Sequence, residues 1–430
     1  MERRTRSSAY RLKCYIFLKN RIINKKKIIN DPIYGFINIS NELHFDIIEH
    51  PYFQRLRRIK QLGLTHFVYP GALHTRFHHS LGAMHLMQEA IAVLQSKGHI
   101  ITKEEEVAAM TAILLHDVGH GPFSHTLENS LVLKTPHEFI SKLGLNKLNT
   151  LFDNRLDLSI SIFNKDYSRS FFNQLISSQL DVDRLDYLSR DSFFTGVSEG
   201  VVGTARILKM LNVVDNTLVA EEKAIYSLEK FLVARRLMYW QVYLHKTVLA
   251  AENMLVLLLR RAKYLSQQGK ELFATTALQF FLKDDYSQSD FESNPKVLEY
   301  FMRLDDNDII ASIKEWMHND DAVLRYLSQS LMNRRLYRCE IQSKPFEYFH
   351  IEKIQQKIKA YFGVKEKDIS YFLVSNSTSN YAYDAHHDNI HILTKDNKIK
   401  DITEVSDQMN ISVSSKPVTK YFLCYPKDIF

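Results

Sequence analysis

The sequence predicts a mainly α-helical protein that carries a smaller α+β domain at its C-terminal end. Three observations predict it. From about residue 40 to about residue 340 the chain consists of long amphipathic segments with few glycines. After about Gln342 come short runs rich in β-branched and aromatic residues: YFLVS, NIHIL, ISVSS and VTKYFLCY. With 430 residues, 45% of them hydrophobic and 12% aromatic, the chain can bury a large core.

Residues 1–27 form a basic N-terminal extension with ten Lys or Arg against one acid, Glu2. The remaining chain holds 46 basic and 48 acidic residues. A near-neutral body offers no broad phosphate-binding face, so nucleic acid is expected only through the basic arm. The apolar stretch CYIFL stops at Lys19, too short for a signal peptide or a membrane span.

Residues 28–341 make up the helical domain. HTRFHHSLGAMH opens one helix, and Thr102 with Glu105 is a capping box that opens the helix through VAAMTAILLHD. FLVARRLMYWQVYLHK reads as one long helix, and MLVLLL is cut off by Arg260 and Arg261, so no membrane span is expected there. DDYSQSDFESNP reads as a polar loop. Residues 342–430 give a helix, HIEKIQQKIKAYFG, and then the strands. The cysteines Cys14, Cys339 and Cys424 are odd in number and far apart, which excludes a disulfide framework or a CxxC clip and fits a reducing cytoplasm.

The chemistry concentrates in ILLHDVGHGPFSH, residues 113–125, where an apolar helix ends in His116 and Asp117. Upstream, Arg76 and His79 start a second helix; downstream, DVDRLDYLSRD carries Asp181, Asp183, Asp186 and Asp191. Histidines and aspartates from three helices form a mixed N/O set suited to a divalent ion such as Mn, Fe, Co, Ni, Zn or Mg. Asp181 and Asp186, at offsets of two and three from Asp183, read instead as a helix cap or partners of arginine. Gly119 and Gly121 allow close backbone approach to a ligand, with the imidazole of His120 between them. Asp183, Arg184, Tyr187 and Asp191 share one helix face, and Arg235, Tyr239 and Tyr243 recur every four residues with Lys246 following.

The order H…HD…D resembles the HD-domain metal phosphohydrolase superfamily. DPIYGFI, FQRLRRIKQLG, YPGALHTRFHHSLG, LLHDVGHGPFSH and DVDRLDYLSRD together resemble its branch of deoxynucleoside triphosphate triphosphohydrolases, from about Asp31 to Cys339. The resemblance implies an HD-domain helical core. It also implies metal-dependent hydrolysis of dNTPs to deoxynucleoside and triphosphate, with metal-activated water attacking the α-phosphorus, in a dGTPase-like enzyme. By it, His79, His116, Asp117 and Asp183 are the metal ligands, and His120 and His137 stand close to the chemistry. Glu128 occupies the place of a supporting aspartate. Arg76, Arg184 (where a mammalian enzyme of that branch has a lysine) and Arg235 match phosphate contacts, His125 lies near the nucleotide, and Gln61, Tyr187, Asp191 and Tyr243 match positions around the deoxyribose. Glu49, Gln54, Arg55 and Arg57 match part of a regulatory site for an activating nucleotide, with Glu49 replacing an aspartate. A homo-oligomer is implied as well.

Two other functions compete: an HD phosphohydrolase or phosphodiesterase acting on another nucleotide or phosphoester, and a non-catalytic nucleotide sensor. Product identity separates the first, and binding without turnover in any metal marks the second. His44, His50, His66, His74, His85, His245, His318, His350, His386 and His387 lack partners at ligand spacing and read as surface or packing residues.

Overall fold

The computed structural model of the chain describes residues 27–123, 130–132, 135–380, 383, 389–407 and 418–430. Cys14, His125, Glu128, His386, His387, the ISVSS run and nearly all of the basic arm lie outside them.

The described chain opens with a hairpin, β1 (Lys27–Asp31) and β2 (Gly35–Ile39), in antiparallel register. Asp31 makes the turn: its Oδ1 accepts from the amides of Ile33 at 2.9 Å and Tyr34 at 3.1 Å. The helices that matter most for the site follow as α1 (Arg76–Ser96), α2 (Lys103–Leu115), α3 (His137–Leu151), α4 (Val182–Thr195), α5 (Ile225–Met238) and α6 (Lys246–Gln267). Helix α2 starts where Thr102 and Glu105 form the expected capping box. DDYSQSDFESNP is not all loop, since Ser287 and Asp290 cap a short helix, Gln288–Ser293.

Helix α5 departs from the single long helix read in the sequence. It passes into a π-helical turn, Tyr239–Tyr243, and the chain then bends before His245 caps α6. The wider turn shifts the four-residue stripe, so Lys246 opens the next helix instead of extending the row of Arg235, Tyr239 and Tyr243. Among the described residues no single helix is long and apolar enough to cross a membrane. The helical stretches Glu222–Tyr243 and Lys246–Gln267, which together reach that length, meet at 56°, and their apolar residues pack into the interior.

Two clusters of buried residues form the interior. One gathers most elements from Ile37 to Val242, and the other gathers α6 and the helices after it with Phe422–Tyr425, joined by Leu64, Phe123, Leu131, Val132 and Ile140. One of the two larger sheets joins strands from either side of residue 341, and a strand of the other spans that residue. In one, β3 (Leu211–Val214) and β4 (Thr217–Glu221) form a hairpin, and β4 pairs in parallel with the strand His391–Leu393, which pairs with Ile399–Asp401. Tyr383, Ile390, Ile392 and Ile402 are buried in the first cluster as a result. In the other, Val418–Tyr425 lies between Arg338–Gln342 and Val374–Asn380. Cys339 and Cys424, remote in sequence, are direct cross-strand partners there and remain free thiols.

Candidate metal centre

Helix starts and helix ends aim the site residues. At the start of α1, Thr75 and His78 cap reciprocally, the Thr75 amide donating to His78 Nδ1 at 3.1 Å, which sets Arg76 and His79 facing inward. At the end of α2, His116 Nδ1 donates to the carbonyl of Ile113 at 2.6 Å, leaving Nε2 to point onward. Asp181 caps α4 through Oδ1 and the Arg184 amide at 2.7 Å, which brings Asp183 into the first turn.

The four side chains converge. Asp183 Oδ1 lies 3.0 Å from His79 Nε2 and 3.5 Å from His116 Nε2. Asp117 Oδ1 lies 3.3 Å from His116 Nε2, and its Oδ2 lies 3.9 Å from His79 Nε2. Both Nε2 atoms are buried and make no well-formed hydrogen bond, whereas both Nδ1 atoms are committed elsewhere, His79 Nδ1 to Asp186 Oδ2 at 2.8 Å. Fixed tautomers with inward nitrogens and two carboxylates are the donor set of a divalent-ion site, and His79, His116, Asp117 and Asp183 fit one.

Charge balance agrees. Burial alone works against an imidazolium at His79, but the Asp183 and Asp186 carboxylates outweigh it and hold the ring up to about 10. Burial works against the Asp183 carboxylate too, and the His116 and His79 rings more than reverse that, holding it well below the usual carboxylate range. These carboxylates call for positive charge between them.

Behind the site runs a chain of contacts, of which the sequence indicates an arginine partner for Asp186 but neither its bond to His79 nor the link to Asp31. Asp186 is clasped by Arg190, Nε to Oδ2 at 3.0 Å and Nη2 to Oδ1 at 2.9 Å, and Arg190 Nη1 reaches Asp31 Oδ2 at 2.8 Å. Asp186 and Arg190 lie one turn apart on α4, the spacing that offered a clue. Gly82 is required opposite them, because a Cβ would lie 2.0 Å from Asp186 Oδ1 and 2.2 Å from Arg190 Nη2.

Next to the four-residue set, His120 Nε2 lies 3.3 Å from Asp117 Oδ1, and its ring stacks on His137 at 3.6 Å. Burial, then the Arg76 guanidinium, push the His120 imidazole well below its ordinary value. Gly119 also packs tightly within the fold. Its amide donates to Ser141 Oγ at 2.9 Å, and a Cβ would meet the carbonyl of His137 and the amide of Ser141 at 2.3 Å. Glycine there lets the loop press on the first turn of α3, which brings the two histidines together.

Arg76 donates through Nη1 to Asp117 Oδ2, a basic partner for this aspartate that the sequence did not suggest. Arg184 lies by Asp181 and the Ser178 carbonyl, its Nε 2.6 Å from that oxygen. Arg235 shares its surroundings with Tyr187 and Arg184. Asp191, 1% exposed, receives His74 Nε2 and the Tyr243 hydroxyl, and the Tyr243 ring meets Tyr187 edge to face at 6.3 Å. Gln61 neighbours this group, its backbone N–H donating to the His74 carbonyl at 3.0 Å.

Of the four residues matched to a regulatory nucleotide site, Glu49, Gln54 and Arg57 reach the surface and Arg55 does not. Glu49 pairs with Lys27 at 3.0 Å, and Arg57 bonds Gln54 while lying over Phe77. Arg55 is buried, because its guanidinium satisfies three carbonyls: Leu304 at 2.6 Å, Val118 at 3.1 Å and His120 at 2.7 Å. It braces the loop after Asp117 and is not available to a ligand outside.

A helical fold that gathers two histidines and two aspartates at the ends of three helices defines a metal-dependent hydrolase. Residues 76–191 match the HD domain and residues 202–278 the HD associated region. The chain belongs to the HD-domain family. It is similar to a phosphohydrolase of Bacteroides thetaiotaomicron, whose crystal structure superposes with a TM-score of 0.91 at 51% identity, covering 94% of this chain and all of that one. The protein YwfO of Bacillus subtilis, uncharacterised, is 33% identical over 95% of this chain and 94% of its own length. A Dictyostelium discoideum protein named deoxynucleoside triphosphate triphosphohydrolase SAMHD1 homolog is 27% identical over 83% of this chain and 68% of its own.

Proposed function

We propose that this protein is a metal-dependent triphosphohydrolase that cleaves deoxynucleoside triphosphates to deoxynucleoside and triphosphate. The observation that carries the reading is the placement of Asp183 and Asp191 on one helix. The first faces His79 and His116, and the second, two turns on, anchors Tyr243. A polar metal pocket thus adjoins an aromatic wall of the kind that packs against a sugar. The name of the Dictyostelium relative supports the substrate class.

His79, His116, Asp117 and Asp183 hold the ion, which when bound polarises a phosphoryl group and a water. His120, neutral beside Arg76, accepts a proton at one ring nitrogen, and His137 stacked on it keeps that ring in place. Arg76, Arg184 and Arg235 bind the triphosphate, and Gln61, Tyr187, Asp191 and Tyr243 surround the sugar. The test is incubation with dNTPs, NTPs and cyclic nucleotides, each with Mn, Fe, Co, Ni, Zn and Mg, and chromatography of the products. Triphosphate released from dNTPs is expected. Release of pyrophosphate or orthophosphate alone points to a second reading, hydrolysis of another phosphoester through the same residues; the Bacteroides relative, described only as a phosphohydrolase, is compatible with it.

A further inference from the structure

Residues far apart in the chain meet on one buried carboxylate. His74 Nε2 lies 2.7 Å from Asp191 Oδ1, and the Tyr243 hydroxyl lies 2.7 Å from Asp191 Oδ2. A carboxylate only accepts, so both groups donate to it, and the Tyr243 oxygen keeps its lone pairs for a further partner. Asp191 is 1% exposed; Tyr243 is the half-buried member of the three.

His74 is held as firmly as the group it holds. Its side chain is wholly buried and stacks on Phe194 at 4.6 Å with 18° between the planes. Its carbonyl accepts from the Gln61 backbone N–H at 3.0 Å. Gly71, three residues before it, lies so close to α4 that a Cβ would stand 2.5 Å from the Phe194 carbonyl oxygen. The loop into α1 is therefore pressed on the end of α4, and His74 is the side chain that crosses from one to the other. A carboxylate bonded on one oxygen can pivot about its single bonds; bonded on both, it has one orientation.

We propose that His74 is a positioning residue for the sugar wall. It fixes Asp191, and Asp191 fixes the Tyr243 hydroxyl, so that the Tyr243 oxygen accepts a hydrogen bond from the sugar while the ring packs against its 2′ side. The inference rests on the dNTP reading above. It gives the two carboxylates of one helix different roles, Asp183 serving the metal pocket and Asp191 acting through a tyrosine.

The experiment compares His74→Phe, which keeps a flat ring on Phe194 and loses the donor, with His74→Gln, whose amide restores a donor near the Nε2 position. For His74→Phe the expected result is a crystal structure with the Tyr243 hydroxyl out of hydrogen-bond reach of Asp191, metal content unchanged, KM for dNTPs raised about tenfold, kcat within about threefold, and preference for dNTPs over NTPs reduced about tenfold. His74→Gln recovers most of the KM. In a Tyr243→Phe background His74→Phe adds nothing further, because its effect passes through the missing hydroxyl. If His74→Phe does not fold, His74→Asn, whose amide is too short to reach Asp191, takes its place. Wild-type KM and preference in His74→Phe, or equal impairment of the Phe and Gln variants, overturns the proposal. Should the wild-type protein release no triphosphate from any dNTP, the functional reading fails by itself. The crystal structure of the variant then decides this inference: a displaced Tyr243 upholds it, and an unmoved one overturns it.

Discussion

His79 Nδ1 donates to Asp186 Oδ2 at 2.8 Å, and this contact decides that Nε2 is the nitrogen facing Asp183. Asp186→Asn keeps an acceptor but loses the charge, and metal affinity is expected to weaken about tenfold to a hundredfold with the fold intact. Asp186→Ala also strips Arg190 of two of its bonds, at an expected cost of about 3–5 kcal/mol in stability. Metal titration and denaturant unfolding measure the two effects. Equal metal affinity in wild type and Asp186→Asn would show that the ring needs no orienting partner.

His116→Ala or Asp117→Ala is expected to abolish hydrolysis and metal binding while leaving the helical far-ultraviolet signal unchanged. Three donors do not hold the ion in place of four. Full turnover in either variant, with metal still bound, removes these residues from the site.

His120→Ala separates chemistry from binding. Turnover is expected to fall by about two to four powers of ten while metal content stays at the wild-type level. Parallel loss of the metal would place His120 among the ligands instead.

Tyr243→Ala is expected to narrow the preference for dGTP over GTP chiefly by admitting GTP, and Arg235→Ala to weaken both. Rejection of one hydroxyl by shape is worth about a hundredfold at most in an apolar pocket. The ratio of kcat/KM for the two nucleotides is the measurement. An unchanged ratio in Tyr243→Ala together with a shifted one in Arg235→Ala would reverse the orientation of the nucleotide.

Away from the site, burial holds the His44 ring down to about 4, its Nε2 at 3.1 Å from Thr111 Oγ1. Its folded value lies below the ordinary 6.5, so between those values the unfolded chain binds more protons. This contribution is complete above pH 6.5 and is lost as pH falls towards 4, at most about 3 kcal/mol. His44→Gln should therefore flatten the acid limb of an unfolding-stability curve against pH. An identical limb in the variant assigns the loss to other groups.

What the sequence disclosed follows from how local each signal is. The capping box of Thr102 and Glu105, the helix opened by Arg76 and the HD pair at the end of an apolar run are written within a few residues. Their place in the structure matches that reading. Asp186 was readable as an arginine partner because Arg190 lies four residues on, but its bond to His79 spans 107 residues and leaves no local trace. His74 looked idle for the same reason: Asp191 is 117 residues away. Arg55 stood in RLRR, a run that resembles a solvated surface, and only carbonyls from two distant loops explain its burial. The π-helical turn at Tyr239–Tyr243 has no signal in a four-residue stripe.

The parallel pairing of Thr217–Glu221 with His391–Leu393 bears on how the chain is made. A ribosome delivers the N-terminal helices first, yet one side of that strand has no partner until residue 393 has emerged. While residues 222 to 393 are being made the nascent chain carries an open β edge, formed by a strand that includes Leu218, Val219 and Ala220, next to a core still missing Ile390 and Ile392. Two chains growing side by side on one message can pair through that edge. Completion of the C-terminal segment is what retires this hazard.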